Sequence, residues 1–220
     1  MKGASTMTRW PQEFARVVSC NRCTKDTSSR LLRDARENLP QPGFVGQRYR
    51  FTRLVLIGQK PGIRRHQTEA RDKRYFAELR RLRDNPNGAS FRALSSILRE
   101  VMKLWPVYTR HFPLRKLGLE LDQVAYFNVV CCRTTENTLP GRDSVSHCID
   151  AHLKRWLELL EPRVVIFLGT WAFKRAGHIV RELHIPCDYI NRNRSLDKRA
   201  RTENRERVIT LVQRAIVNIH

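Results

Sequence analysis

The chain has 220 residues, 42 Lys+Arg against 21 Asp+Glu, a formal net charge of +21 at pH 7 and 41% hydrophobic residues. That length and apolar content fit one domain with a continuous core and exclude a disordered basic tail, a collagen-like chain and a low-complexity chain. No apolar run approaches the roughly 18–20 residues of a membrane span, and the N-terminus lacks the apolar stretch of a secretory signal. A soluble, cytoplasmic monomer with no membrane partner is therefore expected.

In chain order, Arg53-Leu-Val-Leu-Ile-Gly58 reads as a buried strand ended by glycine. Residues 74–83 and 91–104 carry apolar positions at helical spacing, separated by the turn Asn85-Pro-Asn-Gly88. Val124–Val130 reads as a second strand. Asp143 is placed to cap a helix running to about Leu160, where Pro162 stops it. Arg163–Leu168 is a third strand closed by Gly169, residues 172–183 a helix, 185–190 a last strand and 203–217 a closing helix.

Strands that alternate with helices and read as unbroken apolar runs indicate a mainly parallel sheet covered on both faces, a three-layer α/β/α sandwich. In such sheets the ligand site lies beyond the carboxyl ends of the strands. That directs attention to segments 59–67 and 131–142 and to the residues from 170 and from 191 onward. With no repeat and no linker in view, residues 1–220 are expected to form a single domain. Residues 1–50 read as an N-terminal wrap that needs an anchor.

Arginine supplies 33 of the 42 basic residues, and its planar fork grips phosphate oxygens and stacks on bases. Nucleic acid is the expected partner, with a merely solvated basic surface as the plainer alternative. Residues 64–83 hold eight Lys/Arg against three acids and residues 191–207 seven against three, so either stretch can track phosphates. The first also reads as a solvated helix face held by ion pairs.

Of the six cysteines, Cys20 and Cys23 form a Cys-x2-Cys pair, while Cys132 and Cys148 lie far downstream. Four thiolates gathered from such positions suit zinc or an iron–sulfur cluster, and buried unligated thiols are the third reading. Cys131 and Cys187 read as core thiols, Cys131 pointing away from Cys132 in an extended segment.

Four segments together resemble the uracil-DNA glycosylase superfamily. They are Leu54-Val-Leu-Ile-Gly-Gln-Lys-Pro-Gly62, Phe127-Asn-Val-Val-Cys-Cys-Arg133, Cys148 sixteen residues after Cys132, and Glu161-Pro-Arg-Val-Val-Ile-Phe-Leu-Gly169. They are most similar to the branch that carries a 4Fe–4S cluster, over roughly residues 14–200. The resemblance implies cluster ligation by Cys20, Cys23, Cys132 and Cys148, with zinc as the alternative metal. It implies uracil-containing DNA, single- or double-stranded, as partner, and hydrolysis of the N-glycosidic bond of a flipped uracil or related deaminated base. Asn128 stands where that family's Asn reads uracil, a carboxamide being able to accept from N3–H and donate to O4 at once. The resemblance also implies that Gly58, Gln59, Pro61 and Gly62 form the loop against the base.

Two departures bear on the chemistry. Gln59 occupies a position where the iron–sulfur enzymes carry Glu, so it can orient water or base but cannot act as a general base. Aligning Asn193-Arg-Ser195 with the family's His-Pro-Ser segment puts Asn193 at the His, which leaves a donor without a titratable proton. The same alignment puts Arg199 at the Arg found six positions after that His. Gln59 and Asn193 are thus the candidate catalytic residues. Phe91 is the candidate stacking aromatic, with Tyr75 and Phe76 as substitutes and core packing as the alternative for each. Arg64, Arg65, Arg192, Arg194, Ser195 and Arg199 are candidate DNA contacts, and His66 a candidate compensating imidazole. The alternative function is a catalytically weak or inactive binder of uracil-containing or single-stranded nucleic acid with the same fold; a zinc-stabilised RNA-binding protein is a third reading.

Overall fold

The structure is a computed structural model that describes residues 9–23, 31–32, 38–62, 69–103, 112–192 and 197–217. These residues form two compact units, each drawn from separate stretches of chain. The first unit takes its members from residues 1–43, 60–100 and 130–152, the second from 44–59, 101–129 and 153–220. The predicted N-terminal wrap therefore divides, its last residues joining the second unit.

The second unit is built on five strands, β1 (Phe44–Val45), β2 (Leu54–Gly58), β3 (Val124–Asn128), β4 (Val164–Phe167) and β5 (Cys187–Tyr189), in the order β1-β3-β2-β4-β5. β3, β2, β4 and β5 run parallel, and only the short edge strand β1 is antiparallel. Every residue of β2, β3 and β4 is buried, as expected of strands that are apolar on both faces.

Side-chain alternation assigns helices to the two faces. Phe127 and Phe167 share the register row of Ile57, and Tyr189 pairs with Phe167, so all three project to one side. On that side Trp156 of α6 (Lys154–Leu160) stacks on Phe127 at 5.0 Å, and Phe173 of α7 (Thr170–Glu182) meets Phe167 at 5.6 Å and Tyr189 at 4.7 Å. Asp188 projects to the other side, where Arg207 of α8 (Lys198–Val217) binds its carboxylate through both Nε and an Nη at 2.6 and 2.9 Å. Val208 and Val212 of α8 are fully buried. Helix, sheet and helix are thus layered as the sequence led us to expect.

The first unit holds α1 (Trp10–Val18), α3 (Glu69–Asp84), most of α4 (Gly88–Lys103) and α5 (Arg142–Cys148). The four-residue α2 (Tyr49–Thr52) belongs to the second unit. α1 begins with Pro11 in its first turn, where a missing N–H costs nothing, and buries Phe14, Val17 and Val18. Asn87 caps α4, its Oδ1 accepting from the N–H groups of Ala89 and Ser90 at 2.9 and 3.0 Å.

The single helix expected from Asp143 to Leu160 is two α-helices separated by a π turn at Ile149–Leu153. Its N-cap is Gly141, and Asp143 lies inside the first turn, where a carboxylate faces the positive end of the peptide dipoles. Among the described residues no helix is long and apolar enough to cross a membrane.

Candidate functional site

Strand order locates the site. From β2 the chain crosses to β3 on one side, then returns past β2 to β4 on the other, so the connections diverge above the β2/β4 border. That topological switch point opens a crevice at the carboxyl ends of the strands. Gly58 ends β2, Asn128 ends β3 and Gly169 follows β4.

Gly58 and Asn128 are register partners. A Cβ on Gly58 would stand 2.5 Å from Asn128 Oδ1 and 2.5 Å from the Tyr126 hydroxyl. Glycine suits this position because any Cβ would force the ends of those two side chains to shift. The Tyr126 hydroxyl donates to Asn128 Oδ1 at 2.9 Å, both residues being buried on the same face of β3. Burial pushes the Tyr126 pKa up to about 12 despite the nearby Arg192 charge, so the phenol keeps its proton at neutral pH.

Gly169 has φ +124°, a conformation that side-chain-bearing residues rarely adopt, and a Cβ there would lie 3.8 Å from Arg192 Cδ. The aliphatic part of Arg192 thus passes over Gly169 while the residue as a whole remains exposed. The sheet unit therefore places a buried carboxamide, a phenol and a guanidinium around the switch point.

The loop after β2 continues with Gln59 half-buried, Pro61 buried and Gly62 exposed. Lys60 Nζ donates to Asn137 Oδ1 at 3.3 Å, and burial lowers the Lys60 pKa. Arg199 is exposed and paired with Glu203 at 2.8 Å. Arg64, Arg65, His66, Asn193, Arg194 and Ser195 lie outside the described residues.

The aromatic candidates are placed in the first unit. The Phe91 ring meets Phe14 edge-on at 4.9 Å. Tyr75 and Phe76 are buried, and the Arg133 guanidinium lies 4.9 Å over the Phe76 ring. In the sheet unit an aromatic follows Gly169 directly: Trp171 is half-buried at the start of α7, with Arg175 5.9 Å from its ring centre. Tyr126, on the face of Asn128, and Trp171, two residues after Gly169, are candidate residues that sequence reasoning missed. The strand alternation that pairs position 126 with 128 carried the signal for the tyrosine.

The thiols gather in the first unit. Cys23 and Cys148 share a hydrogen bond, which, followed by burial, raises the Cys23 pKa well above the usual thiol range. Cys148 is raised in turn, first by a hydrogen bond with Cys131. Cys23 Sγ is also 3.8 Å from His147 Nδ1. Cys20 is half-buried three residues before Cys23, and Cys132 is buried. Cys131 thus contacts Cys148, beside the neighbouring Cys132 that the sixteen-residue spacing singles out. Cys187 belongs to β5 of the other unit.

Five cysteines fall in one unit, with Cys148 bonded to both Cys23 and Cys131, and four of the five would fit the thiolate donor set of an iron–sulfur cluster. Among the described residues no group of three His, Cys, Asp or Glu side chains surrounds a single ion position.

Comparison with known proteins accords with this geometry. A type-4 uracil-DNA glycosylase of Sulfurisphaera tokodaii is 26% identical over 158 residues, 72% of this chain and 53% of that protein. The chain therefore spans about half the length of the curated relative it matches. The family model of the uracil DNA glycosylase superfamily matches residues 47–213, from the turn before β2 through most of α8. With the four parallel strands, the switch point and the Asn128 strand end all inside that match, the chain belongs to the uracil-DNA glycosylase superfamily.

Proposed function

We propose that the protein is a DNA glycosylase that takes a uracil, or a related deaminated base, out of DNA and hydrolyses its N-glycosidic bond. The observation that carries this reading is the buried Asn128 carboxamide, which ends β3 against Gly58 at the switch point. A carboxamide there matches the acceptor and donor of the uracil edge. In the reaction, water adds to C1′ as the C1′–N1 bond breaks, and the base leaves with the bonding pair.

Asn128 donates to O4 as charge builds on the departing ring, and the Arg192 guanidinium favours that anion or the adjoining phosphate. Gln59 has no proton to take up, so its role is to orient the water or the base. Asn193 is the donor to O2. Basic residues near the loops, Arg64, Arg65, Arg194 and Arg199 with Ser195, hold the phosphates.

We further propose that the cysteine cluster holds a 4Fe–4S centre. Cys20, Cys23 and Cys148 are ligands, and the fourth comes from the Cys131–Cys132 pair, where contact with Cys148 favours Cys131. When bound, the centre supplies a covalent brace and no redox step. The chain's own part is to present the thiolates and to bury them.

The test is a glycosylase assay on single- and double-stranded oligonucleotides with one uracil. Free uracil and alkali-labile abasic sites are expected, with a faster rate in Gln59→Glu. If wild type binds uracil-DNA yet neither protein releases uracil, the chain is a binder.

A further inference from the structure

We infer that Tyr126 sets the specificity of this site by holding the Asn128 carboxamide in the orientation that reads uracil and rejects cytosine. The inference rests on the base-reading role proposed above for Asn128.

An asparagine by itself does not tell the two bases apart. Its oxygen and nitrogen are nearly equal in size, and a half-turn of the amide exchanges acceptor for donor. One orientation offers an acceptor to N3–H and a donor to O4, the edge of uracil. The other offers a donor to N3 and an acceptor to the 4-amino group, the edge of cytosine. Discrimination therefore needs a neighbour that distinguishes Oδ1 from Nδ2.

Tyr126 is that neighbour. Its hydroxyl donates to Asn128 Oδ1 at 2.9 Å, with the two residues only 7% and 8% exposed. Alternation along β3 puts positions 126 and 128 on one face, and the missing side chain of Gly58 leaves the space they share. Turning the amide over would bring its N–H2 against the phenol, which would have to reverse from donor to acceptor and turn its proton away from Oδ1, against the Arg192 charge that acts on the same oxygen. Oδ1 keeps a second lone pair for the N3–H of uracil, so the lock does not block the base. Arg192, whose charge acts on the same phenol, makes it a better donor.

Tyr126 is thus a positioning residue, and its signature is a ratio. Equilibrium binding of single-stranded oligonucleotides containing one uracil or one cytosine is measured for wild type, Tyr126→Phe and Asn128→Ala, with thermal unfolding of each. Tyr126→Phe is expected to reduce the uracil-to-cytosine affinity ratio tenfold or more. A merely structural loss would weaken both affinities and leave the ratio alone. Should Tyr126→Phe not fold, Tyr126→Met fills a similar volume without the hydroxyl and reads the same ratio. A wild-type ratio in the hydroxyl-free variant, with the ratio lost in Asn128→Ala, overturns the inference while the base-reading role stands. A ratio unaffected by Asn128→Ala removes that role and this inference together.

Discussion

A Cβ on Gly58 would lie 2.5 Å from both Asn128 Oδ1 and the Tyr126 hydroxyl, so the end of β2 and the polar pair on β3 are fitted to one another with no spare room. Gly58→Ala has to shift the Tyr126 and Asn128 side-chain ends from their present positions. We expect a stability loss of about 1–3 kcal/mol from overpacking, read by urea unfolding, with a loss of uracil-DNA affinity of at least tenfold. An alanine variant that binds uracil-DNA as wild type does would show that this contact plays no part in base reading.

Alanine variants can tell Cys131 from Cys132 as the fourth ligand. Cys131→Ala is expected to yield protein with little iron and no brown colour after anaerobic purification, whereas Cys132→Ala and Cys187→Ala retain about four iron atoms per chain. Iron loss confined to Cys132→Ala would return the ligand to the position indicated by sequence spacing. Because the Cys23 and Cys148 thiols hold their protons firmly, loading must displace those protons. Reconstitution is therefore expected to improve as pH rises from 7 to 9, and a flat profile would contradict the protonated starting state.

His152 lies on the π turn, 3% exposed, and neither ring nitrogen has a hydrogen-bond partner among the described residues. Burial, and after it the charges of Arg16 and Arg22, lowers its pKa from 6.5 to about 4. A histidine with a depressed folded pKa is neutral in the fold but protonated in the unfolded chain between those values. Its contribution to stability is complete above about 6.5 and is lost as pH falls toward 4. The drop is roughly 3 kcal/mol. Urea unfolding at pH 7.5 and 4.5 should reveal it in wild type and a smaller drop in His152→Leu; equal drops would place the acid sensitivity elsewhere.

DNA binding should be steeply salt-dependent, because each neutralised phosphate releases condensed counterions. Arg192→Glu is expected to flatten the slope of log affinity against log salt by about one unit or more. Arg115→Glu, on an exposed turn of the same unit, changes net charge equally and should leave the slope near wild type. Equal slopes in both variants would reduce the role of Arg192 to net charge alone.

How far the sequence disclosed this arrangement depended on the length and chemistry of each element. β2 and β4 were legible because four or five consecutive apolar residues ending at glycine have few other interpretations. β1 escaped, since two residues carry no periodicity and pairing with β3 alone defines it. The π turn was invisible because the apolar spacing of Ile149, Leu153, Trp156 and Leu160 fits an unbroken helix equally well. Asn128 was legible only through its motif, and its partner Tyr126 drew no reading: alternation puts it on the face of Asn128 but does not say where its hydroxyl ends. The choice between Cys131 and Cys132 turns on a half-step of backbone alternation that adjacent cysteines leave undecided.

Arg53 and Glu161 hold left-handed backbone, at φ 51° and 44°, at the amino ends of β2 and β4. They are tied by a hydrogen bond from Arg53 Nε to the Glu161 carbonyl. Side-chain-bearing residues pay roughly 1–2 kcal/mol in that region, and the Arg53–Glu161 ion pair, 3.4 Å long with the Glu161 side chain 76% exposed, returns little of it. This pole of the sheet lies a full strand length, about 16 Å for five residues, from Gly58 and Gly169. The fold thus keeps its improvable stability at one end and its chemistry at the other. An engineer can exchange Glu161 for Gly or Asn to obtain a hardier scaffold while the end that meets the base keeps its shape.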